Sequence, residues 1–140
     1  MINNGVMGNL ATLEPPFSPI LWTSIATGML ADKHGVLGFV EPMSNQIAIR
    51  PVSAASRKVK AIWNILTQKG FKTHVVGWWP SHPAEPINGV MVSNLAQKVT
   101  FDPNQNEFPD GAVHPNELAS LFSHLRVHPT ELTYEHLIPF

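Results

Sequence analysis

RKVKAIWNILTQKGFKTHVVGWW, residues 57–79, is the stretch that decides the fold class. Val59, Ile62, Trp63 and Leu66 recur at i, i+3, i+4 and i+7, one apolar stripe on a helix expected over residues 57–69. Ser56 stands where that helix needs an N-cap, and Gly70 stands where it needs a stop. The THVVGWW that follows, residues 73–79, is rich in β-branched and aromatic side chains and short enough for a buried strand. A helix that runs directly into a strand predicts an α/β layer, a mostly parallel sheet flanked by helices.

Working outward, PSHPAEPING at residues 80–89 is a loop stiffened by three prolines, and residues 90–92 are a brief apolar piece. Loops at strand ends of open α/β sheets are where ligands sit. Residues 100–115 read as turns around Pro103, Pro109 and Gly111. A last helix is expected from residue 116 to about 125, with Leu118, Leu121, Phe122 and Leu125 on one face. Toward the N-terminus a short helix is expected over residues 21–29, with Pro19 in its first turn, Gly28 near its end and Ser18 at the N-cap. Residues 31–42 read as a loop and a short extended piece, and the stretch to Ser56 as polar and irregular.

The length of 140 residues fits one unit with a core. A formal charge of −1 gives no overall field for nucleic acid or an acidic membrane surface. The absence of cysteine excludes disulfides, thiolate metal sites and a cysteine nucleophile. No basic segment leads into a long apolar one at the N-terminus, and no apolar run approaches the ~18 residues of a membrane span. A soluble, cytoplasmic chain with no nucleic-acid or membrane partner is expected. MINNGVMGN at the start resembles the end of an element followed by a turn, and HLIPF at the end stops on apolar residues with no polar tail or capping signal, so the chain is expected to be a fragment, a single partial domain over residues 1–140.

Ser18 carries two readings. As a Ser-Pro cap it satisfies an orphan N–H, worth around 1 kcal/mol. As a hydroxyl at a helix N-terminus it stands where free N–H groups and the dipole favour phosphate, and activation by a base or a metal would make it a nucleophile. His82 and Glu85 form either a ligand or acid/base pair or two polar loop residues. Asp110 and His114 have a spacing that would share a helix face, but FPDGAVHP at residues 108–115 favours turn residues over a metal pair. Arg57, Lys58 and Lys60 crowd a helix N-terminus, where the dipole disfavours cations unless an anion or acidic neighbour offsets them. His34, before Gly35, reads as a turn residue. Trp78 and Trp79 belong either to the core or to a pocket.

FSPILWTSIATG at residues 17–28, followed by ADKHG at residues 31–35, resembles the nucleophile segment of the type I phosphodiesterase/nucleotide pyrophosphatase family in the alkaline phosphatase superfamily. RPVSAASRKVKAIWNIL (residues 50–66) and VVGWWPSHPAEPINGVMVS (residues 75–93) resemble a bacterial branch of predicted phosphohydrolases in that family. The resemblance implies a partial alkaline-phosphatase-like fold, the N-terminal part of its catalytic domain, and hydrolysis of phosphate mono- or diesters as small-molecule substrates. It implies Ser18 as the nucleophile, bridging to two divalent metal ions, usually zinc, and Trp79 and Pro80 flanking the leaving group. The family's other ligands lie beyond this chain, and no Asp precedes Ser18, where Glu14 is the only acid. The 140 residues alone are therefore expected to be inactive. The alternative is a non-catalytic truncated module that binds an anion or a partner chain.

Overall fold

The computed structural model describes residues 4–43, 47–98, 107–127 and 129–137. The turn-like reading around Pro103 and the readings of both chain ends lie wholly or partly outside them. The order is α1 (Ser18–Thr27), α2 (Ala31–His34), β1 (Val40–Pro42), β2 (Ile49–Pro51), α3 (Ile62–Gln68), β3 (Thr73–Val76), β4 (Gly89–Val92), β5 (Val113–His114), α4 (Ala119–Ser123) and α5 (Tyr134–Leu137). Short 3-10 turns precede α3, β5, α4 and α5. Among the described residues no helix is long and apolar enough to cross a membrane.

α1 begins three residues earlier than its apolar run suggested. Its N-cap is Phe17, not Ser18, and Pro19 lies in the first turn, where its missing N–H costs nothing. Gly28 ends the helix at φ 67°, a left-handed conformation that glycine adopts without strain, and its N–H bonds the Ser24 carbonyl. Pro19, Ile20, Thr23 and Ala26 face inward at helical spacing, while Trp22 and Ile25 remain exposed. Residues 31–34, read as loop, form the single turn α2. The turn is held by His34, which is fully buried and bonds both α1 and the chain beyond it.

The helix expected over residues 57–69 occupies only Ile62–Gln68. Ser56 does not cap it; the Ser56 hydroxyl accepts the Ser53 N–H within a preceding 3-10 turn. Residues 57–60 stay outside the helix because their polar groups have better partners elsewhere. The Arg57 guanidinium turns inward to the Val59 carbonyl, Asn64 and Glu85, and the Lys58 N–H bonds the His34 carbonyl. Ala61 takes the N-cap position, with its N–H donated to Asn64 Oδ1. Of the predicted stripe Trp63 is buried and Leu66 half-buried, whereas Ile62 is exposed.

The expected α/β layer is present. β3 pairs parallel with β4, Thr73 opposite Gly89 through Val76 opposite Val92, and β5 adds antiparallel on the far side. β1 and β2 form a separate antiparallel pair. Among the described residues, parallel pairing is thus confined to β3 and β4. The strand stops at Val76, so Trp78 and Trp79 leave it. Gly89 has no substitute in this register, because a Cβ there would overlap the Thr73 carbonyl.

One core cluster joins Ala26, Ala61, Trp63, Ile87 and Met91, with Val75 and Trp78 against it. A second joins Ala96, Ala112 and Val113 with Phe108 before β5, Leu118 from the turn before α4 and Phe122 from α4. The last helix is shorter than its pattern: a 3-10 turn over Asn116–Leu118 feeds α4, and Leu121 and Leu125 are exposed. Truncating the buried Trp63 ring of the first cluster should cost about 3–5 kcal/mol.

Candidate active site

Ser18 is the first residue of α1 and is exposed. Its side chain makes no capping bond. The next N–H groups of the turn, Ile20 and Leu21, both donate to the Phe17 carbonyl at 2.9 and 3.1 Å. The helix start is therefore satisfied by backbone, and the serine hydroxyl is left facing solvent with no capping duty. This removes the N-cap reading of Ser18 and leaves its hydroxyl available for chemistry.

Its chain neighbour Phe17 begins a line of aromatic rings. Phe17 packs on Phe39 with centroids 5.6 Å apart, and Phe39 packs on Trp79 at the same distance. Trp78 turns the other way, edge-on to Trp22 at 5.0 Å and to Trp63 at 5.8 Å. The two tryptophans thus divide: Trp78 packs against the core and Trp79 belongs to a partly exposed wall that ends at Phe17, the residue before Ser18. Pro80, the next residue, is buried. Phe39 was not found from sequence, because it lies 21 positions from Ser18 in a glycine-punctuated stretch without periodicity.

The loop that carries Trp79 and Pro80 is clamped from the end of β4. Asn94 Oδ1 accepts the N–H groups of Ser81 and His82 at 2.9 and 3.1 Å, and the Asn94 N–H donates to Ser81 Oγ at 3.1 Å. His82 Nδ1 lies 3.2 Å from the Ser93 hydroxyl, which is fully buried. Burial lowers the His82 pKa from its usual value. The sequence does carry a signal for Asn94, a cap-type residue two positions past an apolar strand.

Glu85 takes partners different from those of His82, so the two do not act as a pair. Its carboxylate accepts from Arg57 at 2.7 Å to each oxygen, from Trp63 Nε1 at 2.8 Å and from Asn64 at 3.3 Å. Glu85 is the acidic neighbour that the Arg57 cation required. Arg57 also lies 5.3 Å from the centroid of the Trp63 ring. Lys58 and Lys60 are exposed.

His34 is more than a turn residue. Its Nδ1 accepts the Val36 N–H at 3.1 Å, so the proton sits on Nε2, which faces Ser24 Oγ at 3.0 Å. In that tautomer the imidazole donates to Ser24 and cannot serve as its base. Burial lowers the His34 pKa, with the charge of Asp32 pulling weakly the other way.

Asp110 and His114 lie in a turn and in β5, not on a helix. Among the described residues no three His, Asp or Glu gather as a metal would require. Ser18 therefore has no companion ligands here, and the residues present do not fit the two ions that the resemblance implied.

The helix-to-strand layer, the parallel β3–β4 pair and the serine-led helix define a mixed α/β protein of partial alkaline-phosphatase-like architecture. The model of the type I phosphodiesterase / nucleotide pyrophosphatase family matches residues 1–136, and the chain belongs to that family of hydrolases, which is generally metal-dependent. Comparison with curated proteins and with solved structures returned no match.

Proposed function

We propose that Ser18 is the nucleophile of a hydrolase acting on phosphate mono- or diesters, and that Trp79, backed by Pro80, flanks the leaving group. The observation that carries this is the uncapped, exposed Ser18 hydroxyl at the head of α1, beside the Phe17–Phe39–Trp79 wall. In the reaction Ser18 Oγ forms a bond to phosphorus as the ester oxygen leaves, and water then displaces the serine. The described residues offer no base or ligand set to activate the hydroxyl, so the 140 residues alone are expected to turn over little. On this reading they are the N-terminal part of the catalytic domain, and zinc is the metal of the complete protein.

The test is hydrolysis of p-nitrophenyl phosphate mono- and diesters by the gene product purified at its natural length, with and without zinc. Ser18→Ala should lower kcat by about a thousandfold or more, as loss of a covalent nucleophile does. An unchanged rate in that variant refutes the assignment.

A further inference from the structure

We propose that Asn94 is a positioning residue for substrate binding: its side-chain oxygen fixes the loop that carries Trp79, a role that rests on reading Trp79 as the ring that flanks the leaving group. β3 and β4 run parallel, so their carboxyl ends lie at the same end of the sheet. Open α/β sheets take their ligands outside that end. The chain leaving β3 carries Trp79 and Pro80, and the chain leaving β4 carries Asn94.

Trp79 lies in a span with little main-chain support. The last bond before it is donated by the Gly77 N–H to the Val92 carbonyl at 2.8 Å. Residues 78–80 take no main-chain hydrogen bond among the described residues. The next anchors are Ser81 and His82, whose N–H groups both go to Asn94 Oδ1, at 2.9 and 3.1 Å. One side-chain oxygen therefore closes the span on its downstream side. In return the Asn94 N–H donates to Oγ of the fully buried Ser81 at 3.1 Å. Further on, the His82 carbonyl accepts the Ala54 N–H at 2.7 Å. Loss of the Asn94 oxygen thus frees the Trp79 end of the loop and leaves a later tie in place. A side chain on a loop is placed less precisely than one on a strand unless its support is fixed.

The chemistry of this clamp separates it from packing. Asn94 uses Oδ1 alone, and its Nδ2 has no acceptor among the described residues. A carboxylate at this position would offer the same oxygen to the two N–H groups as a charge-assisted acceptor. Alanine would offer none.

Steady-state hydrolysis of p-nitrophenyl phosphate mono- and diesters by the protein at its natural length, with zinc, tests the role. Trp79→Ala and Asn94→Ala should each raise KM about fivefold or more with kcat within about twofold, the split expected when an interaction holds substrate and transition state alike. Asn94→Asp should return KM to within about twofold of the unaltered protein. Because Asn94 acts through Trp79, the two effects should not multiply, and the double variant should stay within about twofold of Trp79→Ala. Multiplying effects, a KM that Asn94→Asp leaves raised, or an unchanged KM in Asn94→Ala beside a raised one in Trp79→Ala would each overturn the positioning role and leave the leaving-group reading standing. An unchanged KM in Trp79→Ala overturns that reading and the role with it. Should Asn94→Ala fail to fold, Asn94→Ser, whose hydroxyl falls short of both N–H groups, replaces it: a raised KM supports the role and an unchanged one overturns it.

Discussion

Ser18 separates two roles that are easily confused, because a cap and a nucleophile both sit at the start of a helix. Its hydroxyl makes no capping bond and the turn is closed by the Phe17 carbonyl. Ser18→Ala should therefore change the urea midpoint little, within about 0.5 kcal/mol, where loss of a true cap costs about 1 kcal/mol. Equilibrium unfolding of the two chains measures the difference directly. His34 behaves in the opposite way, contributing to stability through its protonation state. It is buried neutral, and both His34 and His82 have lowered pKa values. Below the ordinary histidine value of about 6.5 the unfolded chain binds protons that the folded chain excludes, so stability is full above that pH and falls as pH drops below it. Urea midpoints at pH 7.5 and 5.5 should show this loss, and His34→Leu should make it smaller.

Between elements, Glu85 ties the loop after β3 to α3 and to the irregular chain before it. Four donor contacts from Arg57, Trp63 and Asn64 converge on one carboxylate, and the Arg57 side chain is only 6% exposed. Glu85→Ala should cost about 3 kcal/mol or more, because it strands a buried guanidinium rather than merely deleting a contact. Adding Arg57→Met should recover a large part of that loss in equilibrium unfolding. The same network explains why α3 is shorter than its pattern. The apolar spacing of residues 59–66 was legible, but the inward turn of Arg57 depends on a carboxylate 28 positions away, which no local period can reveal.

For the whole molecule, the metal chemistry general to the family has no ligand set among the described residues. Calorimetric titration of the 140-residue chain with zinc should show only weak binding, with no site tighter than about 10 µM, an affinity near 7 kcal/mol. A tight site would mean that residues not gathered here assemble around the ion. Many large apolar side chains are exposed among the described residues, from Trp22 and Ile25 on α1 to Val76 on β3.

By itself the sequence determined the α/β class, the α3-to-β3 order, the family and Ser18 as the residue to examine, because these rest on local periodicity and on motifs in fixed order. Tertiary structure alone decided that Ser18 is not a cap, that Trp78 and Trp79 serve different surroundings, and that Phe39 joins the wall beside Ser18. It also assigned Glu85 to Arg57 rather than to His82. Each of these is a choice among partners distant in sequence, and such a choice is made by packing and hydrogen bonding once the chain has folded.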